Sequence, residues 1–322
     1  MSSAMVKLGD VINVHYGKAL KADQRVSNGS VHVFGSSGIV GNHDKTLCSY
    51  PTIIIGRKGS VGAITWAPDG GWIIDTAYYV EIKDNNKLDL RYLFYILSGI
   101  DLTKKTITTS IPGLNRDDLY DTFIKLPPFE EQKRIVDLLD KAEGIRQKRE
   151  QAIKLADDFL RAKFLEMFGT PANNIHRFPK GTIRDLVDSV NYGTSAKASI
   201  DSGEYPILRM GNITYQGRWD FTDLKYLDLS VKEKDKYLVK EGDLLFNRTN
   251  SKELVGKTAV YEEDRPMAFA GYLIRVRPNS IGNNYYISGY LNSIHGKITL
   301  MNMCKSIVGM ANINAQELQN IE

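Results

Sequence analysis

Short apolar runs separated by turns rich in glycine, serine and asparagine make up most of this chain. Such runs predict β-strands, and they occur at 51–56, 72–82, 205–210, 243–247, 257–261 and 269–276. Apolar residues at helical spacing predict helices over 90–98 and 285–300. The mixture predicts an α+β fold with mixed α/β domains in both halves.

One stretch departs from this pattern. Between 128 and 168 the only glycine is Gly144, no proline follows Pro128, and charges of both signs alternate densely. Pro127 and Pro128 suit a helix start, because the first helical turn has no internal partner for its N–H groups. Gly169 gives a stop signal. The stretch therefore predicts one helix of about 40 residues, roughly 60 Å long.

Apolar residues recur along this helix every three or four positions, which is the spacing of a coiled-coil seam. The seam residues are Ile135, Leu138, Ala142, Ile145, Ala152, Ala156 and Phe159. Such a seam needs a partner helix to cover it. The alternative is that the helix packs along the domains of its own chain.

The sequence on either side of the helix repeats. Ile-Ile-Gly-Arg at 54–57 returns as Leu-Phe-Asn-Arg at 245–248, and Ala-Tyr-Tyr-Val at 77–80 aligns with Ala-Gly-Tyr-Leu at 270–273. Ile-Pro-Gly-Leu-Asn at 111–115 aligns with Val-Gly-Met-Ala-Asn at 308–312. A repeat of this length predicts a duplicated domain rather than a solenoid unit. We expect a first domain at 1–126, a central helix at 127–169 and a second domain at 170–322.

Composition narrows the class of protein only slightly. The chain of 322 residues is long enough for two domains of ordinary size, and its net charge of +4 permits nucleic-acid binding without arguing for it. The two cysteines fall in different halves, which favours a reducing, cytoplasmic environment over a disulfide framework. No apolar run has the length of a membrane span, and the N-terminus lacks a signal-peptide core.

Catalytic and metal-binding patterns are not found. The five histidines have no metal-ligand spacing, and the Pro-Pro pair lacks the polar residue that precedes it in amino-methyltransferases. What remains are loops with hydrogen-bonding side chains at matched places in both halves, of the kinds that read base edges or bind phosphates. The candidate DNA-binding residues are Tyr16, Lys18, Arg57, Lys58, Ser60, Thr108, Ser110 and Asn115 in the first half, and Tyr192, Thr194, Arg248, Thr249, Asn250, Ser306 and Asn312 in the second.

The start of the long helix carries a resemblance to a known family. Leu-Pro-Pro-Phe-Glu-Glu-Gln-Lys-Arg-Ile-Val at 126–136 closely resembles the signature of type I restriction–modification specificity subunits. The motifs at 111–115 and 56–62 also look like the target-recognition domains of that family.

The resemblance implies a non-catalytic subunit. In that family each domain reads one half of a bipartite target in double-stranded DNA, and the helix sets the spacer between the halves. Methyltransferase (M) subunits methylate adenine at N6, and restriction (R) subunits cut unmodified DNA. S-adenosylmethionine, ATP and magnesium would be bound by those partners, so no cofactor or metal is expected in this chain.

One departure from the family pattern stands out. The repeat ends at Glu322, where the family's second conserved helix would follow, so we expect a shortened subunit with that helix missing. The unpaired seam would then be covered by a second copy, giving a homodimer. Two alternatives stay open: a non-catalytic coiled-coil scaffold with two ligand- or protein-binding domains, and a recognition part split from a fused enzyme.

Overall fold

The computed structural model describes residues 4–105, 113–307 and 310–322, without the side chains of residues 105 and 305–307. It divides into two compact units, 1–148 and 149–322, with the boundary inside the long helix. Within the described part of the chain, no helix combines the length and apolarity needed to cross a membrane.

The first unit alternates strands with short helices. Its elements are β1 (Ala4–Lys7), α1 (Leu8–Val11), β2 (Ile12–Tyr16), β3 (Val31–Gly35), β4 (Gly38–His43), β5 (Thr52–Gly56), β6 (Ile64–Ala67), β7 (Trp72–Ile73), β8 (Ala77–Ile82), α2 (Leu90–Ser98), α3 (Arg116–Tyr120), β9 (Phe123–Leu126) and the start of α4 (Phe129–Phe168). An antiparallel sheet has the order β2-β8-β5-β6, and a second sheet has the order β4-β3-β7 with β3 and β7 parallel. Strand β9 pairs antiparallel with β1.

The second unit begins with the rest of α4. Its other elements are β10 (Val187–Tyr192), β11 (Tyr205–Leu208), β12 (Lys225–Leu227), α5 (Val231–Tyr237), β13 (Leu238–Val239), β14 (Leu244–Asn247), β15 (Thr249–Asn250), β16 (Thr258–Val260), β17 (Met267–Phe269), β18 (Leu273–Pro278), α6 (Asn284–Asn292), α7 (Ile294–Met303), β19 (Lys305–Ile307), β20 (Met310–Asn312) and α8 (Ala315–Gln319).

The two units share one topology. The sheet β10-β18-β14-β16 of the second unit repeats the order of β2-β8-β5-β6, and the parallel pair β11 and β17 repeats β3 and β7. Each unit also has its own cluster of buried aliphatic and aromatic side chains. The predicted duplicated α+β fold with a long central helix is therefore confirmed. The residue bounds proposed for the three segments stay a prediction.

A buried glutamine fixes the start of α4 on the first unit. Gln132 is fully buried, and its Oε1 accepts a hydrogen bond from the backbone N–H of Asp89 at 2.8 Å. Its Nε2 donates to the backbone oxygens of Lys87 at 2.8 Å and Pro127 at 2.9 Å. Asp89 is also the N-cap of α2, so one amide joins the starts of two helices.

The predicted end of the long helix is confirmed. Helix α4 stops at Phe168, and Gly169 follows with a φ of +70°, a conformation that glycine adopts without strain. Near this end Phe164 packs against α6 at Gly289, where a Cβ would lie 2.6 Å from the Phe164 ring. The absence of a side chain at Gly289 allows this close packing.

The predicted seam is only partly covered. Ile135 packs against the core of the first unit. Leu138, Ile145 and Phe159 are each more than half exposed, and Ala142, Ala152 and Ala156 are exposed as well. The helix therefore packs on its own chain near both ends, while its middle presents apolar side chains to solvent.

The predicted helix over 285–300 is wrong as a single element. The structure has two helices, α6 and α7, separated at Ser293. The Ser293 hydroxyl accepts a hydrogen bond from the Gly296 N–H and so caps α7. A side chain at position 296 would also place its Cβ 2.0 Å from the Tyr290 carbonyl oxygen, which only glycine avoids.

Replacing Gln132 tests how α4 is attached to the first unit. Gln132→Ala leaves the buried Pro127 oxygen and the partly buried Asp89 N–H and Lys87 oxygen without their partner, so we expect it to lower the free energy of unfolding by roughly 3 kcal/mol. Gln147→Ala is the matched control, because Gln147 lies on the same helix and is exposed. Urea unfolding measures both. Equal losses in the two variants would contradict the anchoring role.

Candidate nucleic-acid interface

Two arginines stack on the ring of an exposed tyrosine in the first unit. Tyr16 ends β2, Arg57 directly follows β5, and Arg116 opens α3. The guanidinium carbons of Arg57 and Arg116 lie 5.1 Å and 5.2 Å from the centroid of the Tyr16 ring. Stacking of this kind orients a guanidinium. Arg57 Nη1 also donates to the Asp75 oxygen at 3.2 Å, which helps to fix the same orientation. We call Tyr16, Arg57 and Arg116 the first Tyr–Arg cluster.

Backbone hydrogen bonds hold the Arg57 segment in place. The Arg57 N–H donates to the Thr76 oxygen at 2.9 Å, and the Arg57 oxygen accepts from the Leu114 N–H at 2.9 Å. Behind the cluster, the Tyr78 hydroxyl donates to the Leu114 oxygen at 2.9 Å. Burial, with Tyr16 beside it, raises the pKa of Tyr78 to about 12, so this hydroxyl remains a donor at neutral pH.

The second unit contains a matching pair. Tyr192 ends β10, and Arg248 directly follows β14, with its guanidinium carbon 4.9 Å from the centroid of the Tyr192 ring. The Arg248 N–H donates to the Tyr272 oxygen at 3.0 Å, and the Arg248 oxygen accepts from the Ile313 N–H at 2.9 Å. Equivalent strand ends and equivalent backbone bonds therefore place an arginine on a tyrosine in both units.

The surroundings of the second pair differ from those of the first. Asn312 accepts a hydrogen bond from Arg248 Nη2 at 3.4 Å and donates to the Thr249 hydroxyl at 2.8 Å. The Tyr192 hydroxyl accepts from the Ala315 N–H at 2.9 Å. We call Tyr192, Arg248, Thr249 and Asn312 the second Tyr–Arg cluster.

The other candidate residues are distributed unevenly. Lys18, Lys58 and Ser60 are exposed on loops of the first unit, and Asn250 is half-buried beside the second cluster. Thr108 and Ser110 lie outside the described residues, as does the side chain of Ser306.

Two candidate residues have roles within the fold. Thr194 is buried, and its hydroxyl accepts a hydrogen bond from the Ala196 N–H, so this side chain is not on the surface. Asn115 is the N-cap of α3 and accepts from the Asp117 N–H. Sequence patterns at loops do not separate a capping or buried polar side chain from one that faces a ligand.

The strand pairing corrects two of the sequence alignments. Tyr16 lies opposite Tyr78, whereas Tyr192 lies opposite Ile274, so position 78 corresponds to 274 and the alignment of 77–80 with 270–273 is wrong. Likewise Asn115 and Asn314 are the equivalent helix caps, so pairing Asn115 with Asn312 is wrong by two residues. The alignment of 54–57 with 245–248 agrees with the pairing of β5 and β14.

Arg116 was not among the predicted DNA-binding residues. It follows the capping residue Asn115 directly, and a basic residue in the first turn of a short helix has no distinctive pattern. Its role depends on the distance to Tyr16, which lies on a strand far away in the sequence.

Over residues 4–105, 113–307 and 310–322, no group of three or more histidine, cysteine or acidic side chains is placed to hold a metal ion. Both cysteines are free, with Cys48 buried and Cys304 half-buried.

Two copies of one domain thus carry an arginine stacked on a tyrosine at equivalent strand ends. The model of the type I restriction modification DNA specificity domain matches residues 2–155 and again 178–322, and the chain belongs to that family. The two matches account for both units.

Curated relatives agree with this assignment. The chain is 31% identical over 144 residues to a putative type I restriction enzyme specificity subunit, MjaX, of Methanocaldococcus jannaschii, covering 44% of this chain and 33% of the relative. It is 25% identical over 212 residues to the EcoKI specificity subunit of Escherichia coli, covering 61% and 46%. The matches thus span a third to a half of these relatives.

A solved structure has the same fold. The S subunit of a type I restriction–modification system from M. genitalium superposes with a TM-score of 0.62 at 14% identity, covering 100% of this chain and 84% of that one.

Proposed function

We propose that this chain is a sequence-specific reader of double-stranded DNA in a type I restriction–modification enzyme, and that each unit reads one half of a bipartite target. The observation that carries the proposal is the repeated Tyr–Arg cluster. Arg57 and Arg248 occupy equivalent positions, and both are oriented by an exposed tyrosine. Arginine makes bidentate contacts to guanine edges in the major groove, and it also binds backbone phosphates.

Different neighbours would give the two units different half-sites. Arg57 is accompanied by a second arginine, Arg116, and by exposed Lys58, so the first cluster presents mainly donors. Arg248 is accompanied by Asn312 and Thr249, whose amide and hydroxyl groups both donate and accept. Two units with one backbone geometry and different side chains suit the recognition of an asymmetric target.

The chemistry of modification and cleavage would belong to partners. We propose that methyltransferase (M) subunits methylate adenine at N6 and that restriction (R) subunits cut DNA, with S-adenosylmethionine, ATP and magnesium bound by those subunits. The chain would itself be non-catalytic and would act in the cytoplasm. The scaffold alternative is not favoured, because the family match covers both units.

Replacing the two arginines separately tests the half-site assignment. If they read bases, Arg57→Ala should weaken binding only to targets with the correct first half, and Arg248→Ala only to those with the correct second half. Each loss should correspond to about 1–3 kcal/mol. Binding to duplexes with one half scrambled measures this. Lys232→Met is the matched control, because Lys232 is exposed on α5 in the second unit.

A uniform loss would have another meaning. If either variant weakens binding equally on all duplexes, and if the slope of log K against log salt concentration becomes shallower by about one, that arginine binds a phosphate. If a variant leaves binding unchanged, the replaced arginine does not contribute to the DNA interface.

Methylome sequencing tests the function as a whole. Cells carrying this chain with a cognate methyltransferase subunit should contain N6-methyladenine in a split motif with a fixed gap, and cells lacking the chain should not. A palindromic motif would indicate that one unit acts twice in a dimer. An unchanged methylome, with the methyltransferase subunit present, would contradict the proposed function.

We also propose that the exposed face of α4 is covered by another helix, with a second copy of the chain as the occupant. Leu138, Ile145 and Phe159 expose apolar surface that a coiled-coil partner would bury. At tens of micromolar, sedimentation should therefore show a dimer that Leu138→Glu converts to monomer. A clean monomer of the unchanged chain would exclude the homodimer and leave a helix of another subunit as the occupant.

A further inference from the structure

Two cations also lie over the ring of Tyr215, which belongs to neither Tyr–Arg cluster. Tyr215 lies in the loop between β11 and β12 of the second unit. Arg161 of α4 and Lys297 of α7 lie over its ring, with the guanidinium carbon 5.5 Å and the ammonium nitrogen 4.9 Å from the centroid. One ring thus brings together two cations from distant parts of the sequence.

Neither cation is fully satisfied by the protein. Arg161 Nη2 and Lys297 Nζ are both buried, and no hydrogen-bond acceptor is found for either atom among the described residues. A buried donor without an acceptor costs about 1–3 kcal/mol, and more when the group is charged. Such groups in folded proteins call for a specific explanation, commonly a bound water or ion.

A third cation lies beside them. Lys257 is 8% exposed, and its ammonium group donates to the backbone oxygens of Met210, at 2.9 Å, and of Ile213. Burial, together with the positive charges of Arg161 and Lys257, lowers the pKa of Lys297 to about 8, so Lys297 is still mainly protonated at neutral pH. Burial also lowers the pKa of Lys257.

No acidic side chain offsets this charge. Among the described residues, none of the three cations forms an ion pair with a carboxylate. Two acidic residues, Asp157 and Asp158, lie one turn before Arg161 on α4. The Asp157 carboxylate is paired with Arg218 at 2.6 Å, and Asp158 is exposed. Arg161 also lines a cleft of about 390 Å³, together with Asp157, Arg218 and Glu262.

We propose that Arg161, Lys257 and Lys297 form a binding site for a phosphate group. Phosphate oxygens accept several charge-assisted hydrogen bonds at once, and both arginine and lysine bind them. Three cations suit a phosphate better than a single carboxylate, which would leave most of the charge uncompensated. The phosphate group could belong to a small ligand or to the DNA backbone. Only a DNA phosphate depends on the proposed function.

Thermal unfolding of the full chain tests the site with defined anions. Inorganic phosphate or sulfate, compared with chloride at equal ionic strength and present at about ten times its Kd, should raise the Tm by roughly 3–5 °C. Lys297→Met should abolish this anion-dependent rise. In chloride alone it should raise the Tm, because it removes a buried, unpaired charge. Lys232→Met, an exposed control on the same unit, should behave like the unchanged chain.

The pH dependence gives a second readout. Sulfate keeps its charge across the neutral and alkaline range, so its effect reports on the protein. The lowered pKa means that Lys297 is charged below about pH 8 and neutral above it. The sulfate-induced rise in Tm should therefore shrink as the pH passes above 8. Lys297→Arg keeps the charge at high pH, so it should retain the rise there.

Duplex binding distinguishes the two sources of phosphate. A Tm rise with free phosphate and unchanged DNA affinity in Lys297→Met assigns the site to a small ligand. No rise with free anions, together with weaker binding of Lys297→Met to all duplexes and a smaller salt dependence, assigns it to the backbone. If neither effect is seen, or if Lys297→Met shows the same anion response as the unchanged chain, the proposal is overturned.

Discussion

The geometry of both Tyr–Arg clusters depends on one backbone hydrogen bond that occurs twice. The carbonyl oxygen after the β5 strand, at Arg57, accepts from Leu114, and the carbonyl oxygen after β14, at Arg248, accepts from Ile313. Each bond joins a strand end to the segment that leads into a short capped helix. Because it is a backbone bond, it places few demands on the side chains around it. Those side chains can differ between the units while the arginine keeps its position.

Much of the fold follows from local signals. The helix α4 has clear start and stop residues, and it ends at the predicted Phe168 because Gly169 adopts a positive φ. The helix over 90–98 was found from apolar spacing alone. The break at Ser293 was missed because it depends on the contact of Gly296 with the Tyr290 carbonyl, which is a packing constraint rather than a pattern.

The candidate site was less predictable than the fold. Tyr16, Arg57, Tyr192 and Arg248 could be selected because the repeat marks equivalent strand ends, and the structure places them in the two Tyr–Arg clusters. The burial of Thr194 was not predicted because it depends on the neighbouring β17–β18 connection, and the stacking of Arg116 was not predicted because its partner is distant in sequence. A sequence alignment of two diverged copies is also shifted by a few residues where their loops differ in length. The pairing of the strands identifies the residues that are equivalent.

The attachment of α4 near its two ends has a thermodynamic consequence. Gln132 fixes the start of the helix to one core and Phe164 packs near its end in another, while residues 137–142 and 145–156 are exposed. The exposed middle is stabilised mainly by its own backbone hydrogen bonds, because most of the stability of helices in proteins comes from tertiary packing. It should therefore open locally more often than either end, and its amide hydrogens should exchange with solvent faster than those beside Gln132 and Phe164.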